Sequence, residues 1–228
     1  MRGCFVTGTD TGVGKTVVAA AICAALCERG ERVAVVKPVV TGLDDAAPGG
    51  TDHELLAAAA GVDTASVTAA TFGPPLSPHL AAVLAGTPLD ADTLVRHARA
   101  AAETGSVLVA EGVGGLLVPL TDDFLIRDYA VALGLPLVIA SRPGLGTINH
   151  TLLTLEVARA AGLRVVGVVL TPWPAEPSAM ERSNRETIAA LGNVAVATLP
   201  HTGLDPASLA RAGAALPLGA WVPAADPD

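Results

Sequence analysis

The sequence of 228 residues lacks a surplus of basic charge. It contains 14 Lys and Arg residues against 22 Asp and Glu residues, which gives a net charge of −8 at pH 7 and a pI near 5.0. No basic patch is visible along the chain, and this argues against nucleic acid as a main partner. A small anionic ligand held at one focused site remains compatible with the acidic balance.

Long apolar runs and cysteine pairs are also missing. No stretch of about 18 apolar residues occurs, so we expect no membrane span and no membrane partner. The opening segment MRGCFVTG has no signal-peptide pattern. The three cysteines form no CxxC pair, and the five histidines are too scattered to form a metal cluster. We therefore expect a cytoplasmic protein whose cysteines are small buried apolar residues.

Lysine is nearly absent. The 14 basic residues comprise two lysines, Lys15 and Lys37, and twelve arginines. Each lysine falls inside a candidate motif, and arginine cannot replace lysine where a compact, flexible point charge is required. We interpret both positions as functional, and an arginine-biased composition with chance placement is the alternative.

One local pattern recurs along the chain: an alanine-rich helical stretch, a glycine, then a short β-branched run. It occurs at 27–36, 131–140, 158–170 and 189–199. The glycine ends the helix, and the run that follows is typical of a strand buried on both faces. With further strands expected at 3–8 and 106–112, the alternation predicts an α/β fold with a doubly wound, mostly parallel sheet and helices on both faces.

The domain organisation is simple. We expect a single domain over residues 1–216 and a loose tail at 217–228, apart from Trp221, because the tail is rich in Pro, Ala and Asp. The stretches 42–52 and 72–79 are expected to be loops. Ligands of a parallel sheet bind at the carboxyl ends of its strands, and the unusual residues of this chain cluster there.

The segment VTGTDTGVGKT, residues 6–16, differs from the ordinary phosphate-binding loop by one position. That pattern has a Gly, four residues, then Gly-Lys-Ser/Thr. It would place the first glycine at Thr9, whereas the nearest glycine is Gly8. The loop joins a predicted strand to a predicted helix, the context in which backbone amides bind phosphate. Lys15 would reach the outer phosphates, and the Thr16 hydroxyl would ligate Mg²⁺.

Two further strand ends carry charged residues. Lys37 stands directly after the predicted strand VAVV, where it either points into a cleft or extends over the surface. Glu111 ends the apolar segment VLVA and precedes Gly112, Gly114 and Gly115. An acidic residue beside a phosphate-loop strand commonly serves Mg²⁺, and a merely glycine-rich turn is the alternative.

Two helix starts complete the set of candidates. At the first, Thr51 and Glu54 form a capping box, so Asp52 by itself is best explained as a residue that favours the first helical turn. At the second, the exposed backbone amides of 146–149 form an anion site suited to a carboxylate, and an ordinary capped helix start is the alternative.

Taken as a set, these motifs resemble those of the dethiobiotin synthetase family. The matching segments are GTDTGVGKT at 8–16, KPVVTG at 37–42, TD at 51–52, SPH at 77–79, EGVGGLLVPL at 111–120 and GTINHTLLTLE at 146–156. The family's loop has one extra residue before the glycine that precedes lysine, so the shift at Thr9 is a family feature. The resemblance covers about residues 3–170 and is weaker beyond.

The resemblance implies an enzyme, a cyclo-ligase of biotin biosynthesis. It would join CO₂ to 7,8-diaminononanoate with ATP, or another nucleoside triphosphate, through a carbamate and a carbamic–phosphoric anhydride. The substrate supplies both nucleophiles, so catalysis reduces to positioning and to stabilisation of charge. Mg²⁺ is implied as the cofactor, and a homodimer with a shared active site is implied as the assembly.

The resemblance also implies roles for residues of this sequence. The catalytic positions are matched by Lys37, Lys15 and Thr11. The metal ligands are matched by Thr16, Asp52 and Glu111. The nucleotide-binding positions are matched by Asp10, Thr11, Gly12, Val13, Gly14, Lys15, Thr16, Val17, Thr171, Pro172, Pro200, His201 and Thr202. The substrate-binding positions are matched by Thr11, Lys37, Thr41, Gly146, Thr147, Ile148 and Asn149. The segment 146–149 would take the substrate carboxylate across the dimer interface.

One segment departs from the family pattern. After the strand VVGVVL the family usually has an Asn that recognises adenine, whereas this chain continues with Thr171-Pro172-Trp173-Pro174. The later loop around the base is matched only loosely by LPHTG at 199–203. We therefore expect weak discrimination between the nucleotide bases.

Two other classes of P-loop protein are the alternatives. A cobyrinate-type ligase carries a glutaminase domain with a catalytic cysteine, for which 228 residues leave no room. A partitioning-type switch ATPase has a second lysine in the loop, where this chain has Asp10, and often a membrane-binding amphipathic tail, of which the sequence gives no sign.

Overall fold

The computed structural model describes residues 1–45 and 50–222, which form an α/β fold around one sheet. The strands are β1 (Gly3–Gly8), β2 (Val33–Val40), β3 (Thr68–Thr71), β4 (Val107–Gly115), β5 (Leu137–Ser141), β6 (Val165–Trp173) and β7 (Val196–Pro200). The helices are α1 (Lys15–Glu28), α2 (Asp52–Ala60), α3 (Pro78–Leu84), α4 (Ala91–Thr104), α5 (Ile126–Leu133), α6 (Thr147–Ala160), α7 (Ala179–Gly192), α8 (Pro206–Gly213) and α9 (Leu218–Trp221).

The expected doubly wound sheet is confirmed. Over the described residues the strand order is β3-β2-β4-β1-β5-β6-β7, and each pairing of neighbouring strands is parallel. Side chains alternate between the two faces. In β1, Cys4 and Val6 pack with α1, α2 and α8, while Phe5 packs with α4, α5 and α6 on the opposite face. β1 lies between β4 and β5, so the loop after Gly8 opens at the centre of the carboxyl edge.

Three strands are longer than the sequence predicts. β2 continues to Val40, so the expectation that Lys37 follows the strand is wrong. The strand pairs with β4 as far as Val36 and with β3 from Lys37 onward. Pro38 is tolerated because the pairing with β4 has ended where its backbone N–H is missing. β4 and β6 likewise run on to Gly115 and Trp173.

Short elements account for the other differences. The edge strand β3 has the sequence TAAT, which carries no strong strand signal, and the sequence did not predict it. In the stretch expected as a loop at 42–52, Leu43–Asp45 form a 3-10 turn, Asp52 already belongs to α2, and 46–49 lie outside the described residues. At the end of α7, Asn193 rather than Gly192 takes the left-handed conformation, with φ 43°.

The chain end packs more closely than expected. Leu218–Trp221 form α9, and Trp221 is 1% exposed. Its indole Nε1 donates to the carbonyl of Val166 at 3.1 Å, and a Cβ on Gly167 would lie 2.9 Å from the ring. Trp221 was excepted from the expected loose tail, and its neighbours Leu218 and Val222 are buried with it, because the indole fills a site on β6 that only a glycine leaves open. Residues 223–228 lie outside the described part of the chain.

None of the described helices combines the length and apolar character that crossing a bilayer requires.

We predict that Trp221→Ala lowers the free energy of unfolding by about 3–5 kcal/mol, the usual range for deleting a buried indole. Urea unfolding followed by circular dichroism measures this loss. Trp173→Ala is the matched control, because Trp173 is only partly buried and should cost clearly less. Equal losses for the two variants would contradict the packing role of Trp221.

Candidate active site

The loop between β1 and α1 folds back on itself. Lys15 is the first residue of α1, is buried, and donates from Nζ to the carbonyl of Asp10 at 2.8 Å. The amide of Thr11 donates to Asp10 Oδ1 at 2.7 Å. Gly14 has φ 92°, and a Cβ there would lie 2.8 Å from Thr171 Cγ2, so only glycine fits. The loop thus presents a helix amino end, which attracts phosphate, at the edge of the sheet.

Three charged side chains meet beside the loop. Lys37 Nζ donates to Glu111 Oε1 at 2.8 Å and also to Asp52 Oδ2. The hydroxyl of Thr16 donates to the same Glu111 oxygen at 2.9 Å. Glu111 is 0% exposed and Lys37 4%, whereas the Asp52 side chain is 49% exposed. Lys37 therefore connects the buried carboxylate of Glu111 to the carboxylate of Asp52, which is partly exposed to solvent.

Burial and pairing act against each other on these groups. Burial lowers the pKa of Lys37, but the carboxylates of Glu111 and Asp52 outweigh it, and the pKa lies above the ordinary lysine value. Burial raises the pKa of Glu111, and the attraction of Lys37 only partly opposes it. For Asp52, Lys37 outweighs burial and holds the pKa below its usual range. Burial lowers the pKa of Lys15, with Glu111 opposing.

The donor set fits Mg²⁺. Thr16, Asp52 and Glu111 offer only oxygen, and Mg²⁺ is usually held by one or two carboxylates together with phosphates and water. Glu111 Oε2 is buried and lacks a hydrogen-bond partner within the described residues, so this carboxylate can still accept a cation. Within 1–45 and 50–222, no three His, Cys, Asp or Glu side chains form a closed metal site. Phosphate or water would have to complete the coordination.

Thr16 and Asp52 line a cavity of about 690 Å³, and Glu111 lies buried behind its lining. Its polar wall contains Thr11, Lys15, Thr16, Lys37, Thr41 and Asp52. Its apolar wall contains Val39, Pro75, Leu76, Pro78, Val113 and Val118. The sequence predicted 72–79 only as a loop and gave the SPH motif no role, although its match to the family was an available signal. The cavity therefore joins a phosphate-type site to an apolar surface.

The predicted base-binding residues lie elsewhere. Thr171 is buried against Gly14 and cannot turn towards a ligand without leaving that contact. Pro172, Pro200 and His201 are exposed, and the cavity lining includes none of them. The nearby lining residue is Leu204, which the sequence did not single out. Val13 is also buried in the core, so only its backbone could contact a nucleotide.

The predicted carboxylate site lies at the start of α6. Residues 146–149 are not part of the cavity lining. Thr147 points inward, with its Oγ1 2.8 Å from Ser141 Oγ, and its amide donates to Gly144 at 3.2 Å. A carboxylate would therefore meet the first-turn amides of Ile148 and Asn149 rather than the Thr147 side chain.

Comparisons with known proteins identify the family of this chain. A family model described as AAA domain matches residues 2–203. The ATP-dependent dethiobiotin synthetase BioD of Rhodococcus erythropolis is 44% identical over 205 residues, which cover 89% of this chain and 87% of that protein. The protein of the same name from Mycobacterium avium is 45% identical over 191 residues, 83% of each chain. This chain belongs to the dethiobiotin synthetase family.

The identity with these relatives confirms the resemblance to the dethiobiotin synthetase family that the motifs indicated. Among solved structures, a ParA family ATPase from Chlorobium tepidum TLS matches with a TM-score of 0.54 and covers 95% of this chain and 92% of its own. Its sequence is only 12% identical. That likeness shows a shared fold and carries no argument about function.

We predict that Lys37→Ala lowers turnover by about a hundredfold or more, the scale for loss of one charge-stabilising group. Nucleotide affinity should change far less, because Lys37 faces the cavity beyond the loop that contains Lys15. Lys37→Arg should restore little, since the planar guanidinium does not reproduce the compact point charge that Lys37 places between the two carboxylates. Phosphate release and nucleotide titration measure the two effects, with thermal melting as the folding control. Near-full activity of Lys37→Arg would refute this role.

Proposed function

We propose that this chain is an ATP-dependent dethiobiotin synthetase of biotin biosynthesis. The observation that carries the proposal is the pairing of buried Lys37 with Glu111 and Asp52, in one cavity with Lys15 and an apolar wall. An anionic carbamate must approach an anionic triphosphate in this reaction, and two lysines beside one cavity reduce that repulsion. Family membership supports ATP as the co-substrate and a small molecule as the acceptor.

The reaction needs no nucleophile from the protein. One amine of diaminononanoate adds to CO₂ and loses a proton, which gives a carbamate. A carbamate oxygen attacks the γ-phosphorus, and ADP leaves. The second amine then attacks the carbamate carbon, the C–O bond to phosphate breaks, and the ureido ring closes with release of phosphate. Catalysis is therefore a matter of position and charge.

The polar residues singled out from the sequence each have a place in this scheme. Lys15 holds the outer phosphates, and Lys37 stabilises charge on the carbamate and the transferring phosphoryl group. Thr11 and Thr41 orient the carbamate end of the substrate. Thr16, Asp52 and Glu111 would hold Mg²⁺, which when bound neutralises charge on the phosphate oxygens.

The hydrocarbon chain and the carboxylate of the substrate match surfaces farther from the phosphate-binding loop. The hydrocarbon chain suits the apolar wall formed by Val39, Val113 and Val118. The carboxylate suits the amino end of α6 in a second subunit, because 146–149 do not line the cavity of their own chain. The proposed active form is therefore a homodimer, and we place it in the cytoplasm with the other enzymes of small-molecule synthesis.

We predict that the purified protein releases phosphate only when diaminononanoate, bicarbonate, Mg²⁺ and a nucleoside triphosphate are all present. Dethiobiotin, identified by mass spectrometry, should appear in equal amount. Nucleotide hydrolysis that does not depend on the diamine would refute the proposed enzyme class.

The same assay measures how strongly the enzyme discriminates between nucleotide bases. Thr171 is buried and Pro172 has no backbone N–H, so neither residue can recognise a base. ATP, CTP, GTP and UTP should therefore all support the reaction, with specificity constants within about a hundredfold of one another. An ATP preference above about a thousandfold would contradict this.

A subunit-mixing experiment tests the shared site. Lys15→Ala removes the phosphate lysine, and Asn149→Pro removes one first-turn amide without breaking an intrahelical bond. Each variant alone should be nearly inactive. After subunit exchange, about one quarter of wild-type activity should return, because half of the dimers are hybrids and each hybrid has one intact site. No recovery after verified exchange would count against a site built from two chains.

A further inference from the structure

A cluster of buried hydroxyl groups lies behind the phosphate-binding loop. Ser141 Oγ lies 3.2 Å from Thr9 Oγ1, 2.8 Å from Thr147 Oγ1 and 3.0 Å from Thr151 Oγ1. Ser141 is 1% exposed, Thr147 4% and Thr151 0%. Thr9 belongs to the loop, whereas Thr147 and Thr151 belong to the first two turns of α6. One serine at the end of β5 therefore touches both elements.

The hydrogen-bonding capacity of Ser141 is fully used. A serine hydroxyl donates one hydrogen bond and accepts two. Thr151 donates to Ser141. Of the other two partners, Thr9 and Thr147, one must then donate to Ser141 and the other accept from it. A chain of hydrogen bonds between hydroxyl groups thus joins the loop to the start of α6. Such directional bonds fix the relative position of the two elements more narrowly than apolar packing would.

Each joined element also has its own supports. The amide of Thr9 donates to the carbonyl of Ala140 at 3.0 Å, and the guanidinium of Arg142 donates to the carbonyl of Thr11 at 3.0 Å. The buried amide of Asn184 donates to the carbonyls of Pro143 at 2.9 Å and Gly144 at 3.2 Å. Removal of the Ser141 hydroxyl should therefore leave both elements folded and loosen only their mutual placement.

We propose that Ser141 is a positioning residue that couples the phosphate-binding loop to the amino end of α6 through Thr9 and Thr147. The inference rests on the proposed function, in which the loop holds the triphosphate and α6 receives the substrate carboxylate. The threonine at position 9, where the ordinary loop has glycine, supplies the hydroxyl that contacts Ser141.

The kinetic test compares Ser141→Ala with Thr151→Val. Ser141→Ala should lower kcat/KM for diaminononanoate by about tenfold or more, the scale of a small misplacement of reacting groups. The nucleotide Kd without the diamine should stay within about twofold. Thr151→Val leaves the path from Thr9 to Thr147 intact and should stay near wild type. Equal losses in the two variants, or a parallel loss of nucleotide affinity, would overturn the proposal.

A double-mutant cycle tests the path itself. Thr9→Val and Thr147→Val remove the hydroxyls at its two ends, and these residues are joined through Ser141. The double variant should lose no more kcat/KM than the worse single variant, because either change already breaks the path. Additive losses would overturn the coupling. Thermal melting of each variant shows whether it is folded at the assay temperature. Ser141→Cys gives a second variant, in which a weakly hydrogen-bonding thiol replaces the hydroxyl.

Hydrogen exchange separates this inference from the proposed function. When MgATP is added to the wild-type protein without the diamine, the amides at the start of α6 should become more protected. The same should hold in Thr151→Val and fail in Ser141→Ala, although the loop itself becomes protected in all three. If MgATP protected the start of α6 in Ser141→Ala as strongly as in the wild type, the coupling would be refuted. Absence of diamine-dependent phosphate release in the wild type would refute only the proposed function.

Discussion

The buried ion pair of Lys37 and Glu111 is the interaction on which the site depends. Glu111 is 0% exposed in the middle of the sheet, and a charge there requires direct compensation. Lys37 and Thr16 both donate to the same Glu111 oxygen. Because these residues belong to β2, α1 and β4, one carboxylate fixes the distance between three elements. Removal of Lys37 would leave the Glu111 carboxylate buried without its ion-pair partner, which typically costs about 3–5 kcal/mol.

The order of the strands places the Lys37–Glu111 pair beside the phosphate-binding loop. β4 lies between β2 and β1, so the carboxyl ends of the strands that bear Lys37 and Glu111 open beside the phosphate-binding loop. Asp52 reaches the same place from the first turn of α2, where Thr51 and Glu54 form the expected capping box. Asp52 therefore both begins a helix and contacts Lys37, and the first role does not exclude the second.

The opposite side of the loop has a polar support of a different kind. Ser141 and Arg142 at the end of β5 contact Thr9 and Thr11, while Lys37 and its partners lie on the β2 side. The loop is thus held between the ion-paired cluster of Lys37 on one side and, on the other, the hydroxyl cluster of Ser141 together with the Arg142 guanidinium. On the side that leads to α6, the contacts between side chains are hydrogen bonds between hydroxyl groups.

The sequence by itself determined the features that depend on near neighbours in the chain. The glycine-rich loop before α1, the buried strands and the capping box at Thr51 follow from local patterns, and so do Lys15, Lys37 and Glu111 as candidates. Only the tertiary structure decided which of them meet. Thr16 and Glu111 are 95 residues apart, and Thr9 and Ser141 are 132 apart, so no local pattern encodes their contacts. The extension of β2 past Lys37 needed β3 as a partner, and Trp221 needed the space above Gly167. Those outcomes depend on packing between distant segments, whose free energy is gained only when the whole sheet has formed.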